Sequence, residues 1–258
     1  MGHERSGTLP HSKRWREIVE AIAPPEGSPG AHVGSLAERT LKNVNSRFLR
    51  LHKDPGVQAA FGYLIALASE HLPRERGLAS PDTGLNENPS PARLAKHLRE
   101  WVEENRRSIE YSELASRAGA DAIAEWTKSQ TEQGVLFGSV SSAESVWANS
   151  GNAEGFCQVA RSFFANFTER YLRYFLEREA STEFNSLEDR DTFNRRLHDH
   201  IADVSRHAFE TARITQSFAA GWFNNHARGE RPTDRELEGF LAIAFGKLRE
   251  EIARECTE

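Results

Sequence analysis

The chain has 258 residues and a formal net charge of −5 at pH 7, with a pI near 6.1. This length suits one large domain or two small ones, and the slight acidity disfavours nucleic-acid binding through overall charge. The two cysteines, Cys157 and Cys256, are too few for a disulfide framework and favour reduced thiols in a cytoplasm.

The N-terminal part of the chain predicts a disordered tail followed by helices. Residues 1–11 are polar and form the predicted tail. A short helix over 13–23 ends at a stretch rich in proline and glycine. An amphipathic helix follows over 31–53, with apolar residues recurring at helical spacing.

Asp54-Pro55-Gly56 breaks the chain and begins a third helix over 56–71. This helix is apolar almost all round, which is typical of a central core helix. Residues 72–89 then hold three prolines and two glycines among few apolar side chains, which predicts an exposed loop.

This loop suggests a division into an N-terminal helical part, 12–75, a linker, 76–89, and a main bundle, 90–258. The alternative is that all helices form one domain. The sequence leaves both open.

The middle of the chain predicts four further helices. Ser90-Pro91 is a cap followed by proline at the first helical position, and helices are predicted over 91–104, 109–130, 141–149 and 152–180. Residues 134–138 are predicted to form a loop, or at most a single short strand. The helix over 152–180 carries a wide aromatic face and is the second predicted core helix.

The C-terminal part predicts one long helix and a final shorter one. The long helix runs over 186–226 without proline, and about 40 residues would extend roughly 60 Å. Thr233 to Glu236 forms a capping box for the final helix. Its predicted buried face comprises Phe240, Leu241, Ile243, Ala244, Phe245 and Leu248. We therefore expect an all-α bundle of eight or nine helices around the long helix.

The end of the long helix combines small and aromatic residues. Within the segment 218–223, which reads FAAGWF, the candidate partner-binding residues are Phe218, Trp222 and Phe223. Small residues allow close helix approach, and aromatic side chains concentrate in interface hot spots. The alternative is that these rings form core beneath the final helix.

A second candidate site lies earlier on the long helix, at Arg195 and His200. An arginine followed five residues later by a histidine on a late helix of a bundle resembles the active site of HEPN-type ribonucleases. The resemblance implies metal-independent RNA cleavage, with His200 as acid/base and Arg195 stabilising the phosphorane, in a site often built between two subunits. It covers this motif only, and Arg196 stands where the family usually has another polar residue.

Metal and nucleic-acid sites are less favoured. His200 and His207 share a polar helix face but lie two turns apart, about 10 Å, which is too far for one ion. A basic stripe on the second predicted helix could contact phosphates, but no aromatic residues are interleaved with it. Its residues are Arg39, Lys42, Arg50 and Lys53. We predict no metal and no cofactor.

Two hypotheses follow from these features. The leading one is a non-enzymatic adaptor or accessory subunit of a multi-protein assembly, because common catalytic motifs are absent and the long helix exceeds one core. The alternative is the metal-independent ribonuclease, and a homodimer is compatible with either. No apolar window suggests a membrane span or secretory signal, and the arginine-rich, methionine-poor composition suggests a bacterial cytoplasmic protein. A role in antiviral defence has no residue support.

Overall fold

The computed structural model describes residues 47–69, 90–105, 111–136, 146–147, 149–183, 188, 191, 195, 213–227 and 231–255. Their α-helices are α1 (Pro55–Ala68), α2 (Pro91–Asn105), α3 (Ser112–Leu136), α4 (Ala153–Glu183), α5 (Arg213–His226) and α6 (Asp234–Glu255). Short 3-10 helices cover Leu51–Lys53 and Asn149–Gly151. These residues contain no strand, which confirms the predicted all-α class. None of their helices is both long and apolar enough to cross a membrane.

The starts of α1 and α2 follow local sequence signals. The Asp54 carboxylate accepts the backbone N–H groups of Gly56 at 2.9 Å and Val57 at 3.1 Å, which satisfies donors that have no partner within the helix. The Ser90 hydroxyl accepts the Arg93 N–H at 3.3 Å in the same way. Both predicted helix starts are confirmed.

The chain divides into two compact units, and one of them consists of His52–Phe167 and Arg213–Ala244. In this unit α1, α2 and α3 pack against one another. Two glycines permit the close approach. A Cβ atom at Gly56 would lie 2.8 Å from the Ser112 backbone, and one at Gly119 would lie 2.6 Å from Leu98.

The core of this unit is a cluster of aromatic rings around Phe61 of α1. Its ring lies 5.2 Å from Phe163 and 5.1 Å from Phe164 of α4, and it stacks on Phe240 of α6 at 5.2 Å. All four rings are buried. The predicted central role of this helix is therefore confirmed, since its apolar side chains are buried by several other helices.

The other unit consists of Met1–Leu51, Thr168–Ala212 and Phe245–Glu258. Among its described residues, Phe48 packs edge-on against Tyr171 at 5.6 Å and Phe245 at 5.4 Å. All three rings are buried. The described residues thus place the second half of α4 and the end of α6 in one apolar cluster.

Several local predictions are wrong. The helix predicted over 31–53 does not continue to its predicted end, because Leu49 and Arg50 form a turn and Leu51–Lys53 is a 3-10 helix. Helix α3 continues to Leu136, through the segment predicted to be a loop from Gly134 onward. The side chain of Ile243 was predicted to lie on the buried face of α6 but is 45% exposed. Phe240, Leu241, Ala244, Phe245 and Leu248 are buried as predicted. Successive residues of an α-helix are rotated by about 100° around its axis. Ile243 therefore lies roughly 130° around this axis from the centre of the face that the five buried residues form.

Most of the range predicted to form the long helix lies outside the described residues. Helix α5 covers the last part of that range, and Glu188, Asp191 and Arg195 are helical. The predicted helices over 13–23 and most of 31–53, the tail 1–11 and the linker 76–89 also lie outside them. The count of eight or nine helices, the single long helix and the predicted domain division therefore stay predictions.

Candidate partner-binding site

The start of α6 is held by the capping box expected from the sequence. The Glu236 carboxylate accepts the Thr233 backbone N–H at 2.8 Å and the Thr233 hydroxyl at 2.7 Å. In return, the backbone N–H of Glu236 donates to the Thr233 hydroxyl oxygen at 3.3 Å. This reciprocal pattern satisfies donors on both sides of the helix start.

Glu236 also joins α6 to the end of α5. The His226 Nδ1 atom lies 2.9 Å from the Glu236 carboxylate. Hydrogen bonds from the Thr233 backbone, the Thr233 hydroxyl and His226 lower the pKa of Glu236 to about 2. The carboxylate is therefore charged at neutral pH and contacts both Thr233 before α6 and His226, the last residue of α5.

Earlier in α5, before His226, three aromatic residues differ in their surroundings. Phe223 is fully buried and stacks on Phe156 of α4 at 4.4 Å. Phe218 and Trp222 are half-exposed and contact the Phe240 ring at 5.2 Å and 4.7 Å. Of the three predicted partner-binding residues, two thus lie at the surface and Phe223 lies in the core.

Ile243 lies about one helical turn from Phe240, the residue of α6 that Phe218 and Trp222 contact. Gly239, one turn before Ile243, is exposed, and a Cβ atom there would meet nothing within 4 Å. We call the surface formed by Phe218, Trp222, Gly239 and Ile243 the α5–α6 seam. Ile243 lies two turns after Glu236, on the side of α6 that contacts His226 of α5, so the seam combines an exposed aliphatic side chain on α6 with half-exposed rings on α5.

Gly239 and Ile243 were missed as candidate site residues. Their angular positions around the helix axis could have identified them. On a helical projection both fall outside the apolar face of α6, and an isoleucine outside that face is expected to be exposed. Which side of α6 meets α5 could not be predicted, because it depends on how the two helices pack.

A second concave surface lies elsewhere in the same unit. One face of α1, from Pro55 to Ser69, forms its floor, and its walls are the C-terminal end of α2 and the start of α6 with the residues before it. We call it the α1–α2–α6 groove, and its volume is about 360 Å³. The guanidinium of Arg231 lies over the Trp101 ring at 5.2 Å, a cation–π contact across the groove wall.

The residues of the alternative hypotheses are only partly described. Arg195 is exposed, and its Nε atom donates to the Asp191 carbonyl at 3.4 Å. His200 lies outside the described residues, so the ribonuclease pair stays a prediction. Arg50 and Lys53 are exposed, whereas Arg39 and Lys42 lie outside the described residues.

In the part of the chain that the structure describes, the polar side-chain clusters do not form a metal site. Within the described ranges, no group of three or more His, Cys, Asp or Glu side chains is placed to hold a metal ion. On the surface between α3 and α4, Glu125 accepts hydrogen bonds from the Ser162 hydroxyl and from the Asn166 amide, the latter at 3.1 Å. Asn166 also donates to the Ser162 carbonyl at 3.0 Å, so these groups bind one another and tie the two helices together.

No family model matches the chain, and no curated protein or solved structure matches it. Function is therefore inferred from the residues themselves.

Proposed function

We propose that the chain is a non-enzymatic helical subunit of a cytoplasmic bacterial assembly, and that it binds another protein through the α5–α6 seam. The observation that carries this proposal is the exposure of Ile243, 45%, in the same seam as the half-exposed ring of Trp222. Single exposed apolar residues are ordinary, but an aliphatic group grouped with aromatic edges is typical of an interface centre.

The geometry of the seam supports binding to a protein surface. Trp222 is held in place by Phe240 at 4.7 Å and by the His226 ring at 5.5 Å. A ring that is already ordered loses little conformational entropy when a partner covers its exposed edge. Gly239, between Glu236 and Ile243, is exposed, and a Cβ atom there would meet nothing within 4 Å, so the backbone of α6 is open to a partner at this position.

The test is purification of the tagged full-length chain from its native host, with mass spectrometry of the bound material. We expect one stoichiometric protein with the wild type. Ile243→Lys should weaken its binding at least about tenfold, or roughly 1.4 kcal/mol. Ala124→Lys is the matched control, because Ala124 is also exposed on a helix, α3, and lies away from the seam.

Several results would replace this proposal. A partner retained by Ile243→Lys would mean that the seam is not the interface. Recovered RNA that is cleaved without added metal, with the cleavage lost in His200→Ala, would favour the ribonuclease hypothesis. A dimer of the pure chain that is lost in Ile243→Lys would identify a second copy as the partner, as measured by light scattering.

A further inference from the structure

We draw no further inference here: the strongest candidate, the α1–α2–α6 groove, has charged lining residues, Arg231 and Asp234, that balance each other, and nothing in the structure shows what covers it.

Discussion

Phe240 contacts aromatic rings on two sides, and the two sides differ in exposure. Toward α1 it stacks on Phe61, which is fully buried, at 5.2 Å. Toward α5 it contacts Phe218 at the same distance and Trp222 at 4.7 Å, and both of these are half-exposed. Ring contact by itself therefore does not determine burial.

The difference arises from what lies outside each ring. Phe61 belongs to α1, which packs against α2 and α3. Its ring also contacts rings of α4 and α6. Phe218 and Trp222 of α5 lie at the surface instead, and on α6 Gly239 and Ile243 are exposed as well in the part of the chain that the structure describes. One side of Phe240 is thus structural core, and the other side is the candidate interface.

The largest expected effect is on the buried side. Phe61→Ala removes a ring that contacts four other aromatic residues and should lower the free energy of unfolding by about 3–5 kcal/mol. Urea unfolding followed by fluorescence measures this loss. Phe61→Leu keeps most of the volume and should cost less than half as much. Equal costs for the two variants would contradict the view of Phe61 as the packing centre.

Two neighbouring residues of α5 allow a direct comparison of the two environments. Phe223→Ala should lower the free energy of unfolding by about 3 kcal/mol, because Phe223 is fully buried. Trp222→Ala should cost only about 1–2 kcal/mol, because its ring is half-exposed. The same unfolding measurement on both variants tests the distinction. A larger loss for Trp222→Ala would place that ring with the core instead of the interface.

The carboxylate that joins α5 to α6 should make stability depend on pH. The pKa of Glu236 falls from 4.5 to about 2 in the folded chain, because the Thr233 groups and His226 bond to its charged form. Since the folded value is the lower one, its contribution is present above pH 4.5 and is lost as pH falls toward 2.

Comparison with Glu236→Gln isolates this contribution. The wild type should be the more stable of the two at pH 6, and the difference should shrink between about pH 4.5 and 2. Unfolding midpoints in urea at several pH values measure it. A difference that stays constant over this range would show that the hydrogen bonds to the charged carboxylate, chiefly those from Thr233, do not stabilise the fold.

The smallest effect is expected at the exposed edge of the seam. Ile243→Ser should change the free energy of unfolding by less than about 0.5 kcal/mol, because 45% of the residue is already in contact with solvent. Leu241→Ser is the control on the buried face of the same helix, and it should cost several times more. A large cost for Ile243→Ser would mean that this side chain supports the fold.

Much of the local structure could be predicted, and much of the candidate site could not. The aromatic face of α4 and the all-apolar α1 were identified from their patterns, and the structure confirms that both lie in the core. Ile243 was also predicted to be buried, and this prediction is wrong. It was assigned to the apolar face of α6 without regard to its angular position around the helix axis. Phe223 and Trp222 are adjacent in sequence and equally aromatic, so no pattern separates the buried ring from the half-exposed one.

The sequence by itself determined the helix starts and the all-α class. The caps at Asp54, Ser90 and Thr233 act through hydrogen bonds between residues at most three positions apart, so their outcome depends only on local chemistry. Only the tertiary structure decided which apolar groups remain at the surface and where the groove lies. Both depend on helices that are distant in sequence, since α1 and α6 meet at Phe61 and Phe240, and burial is a property of such contacts.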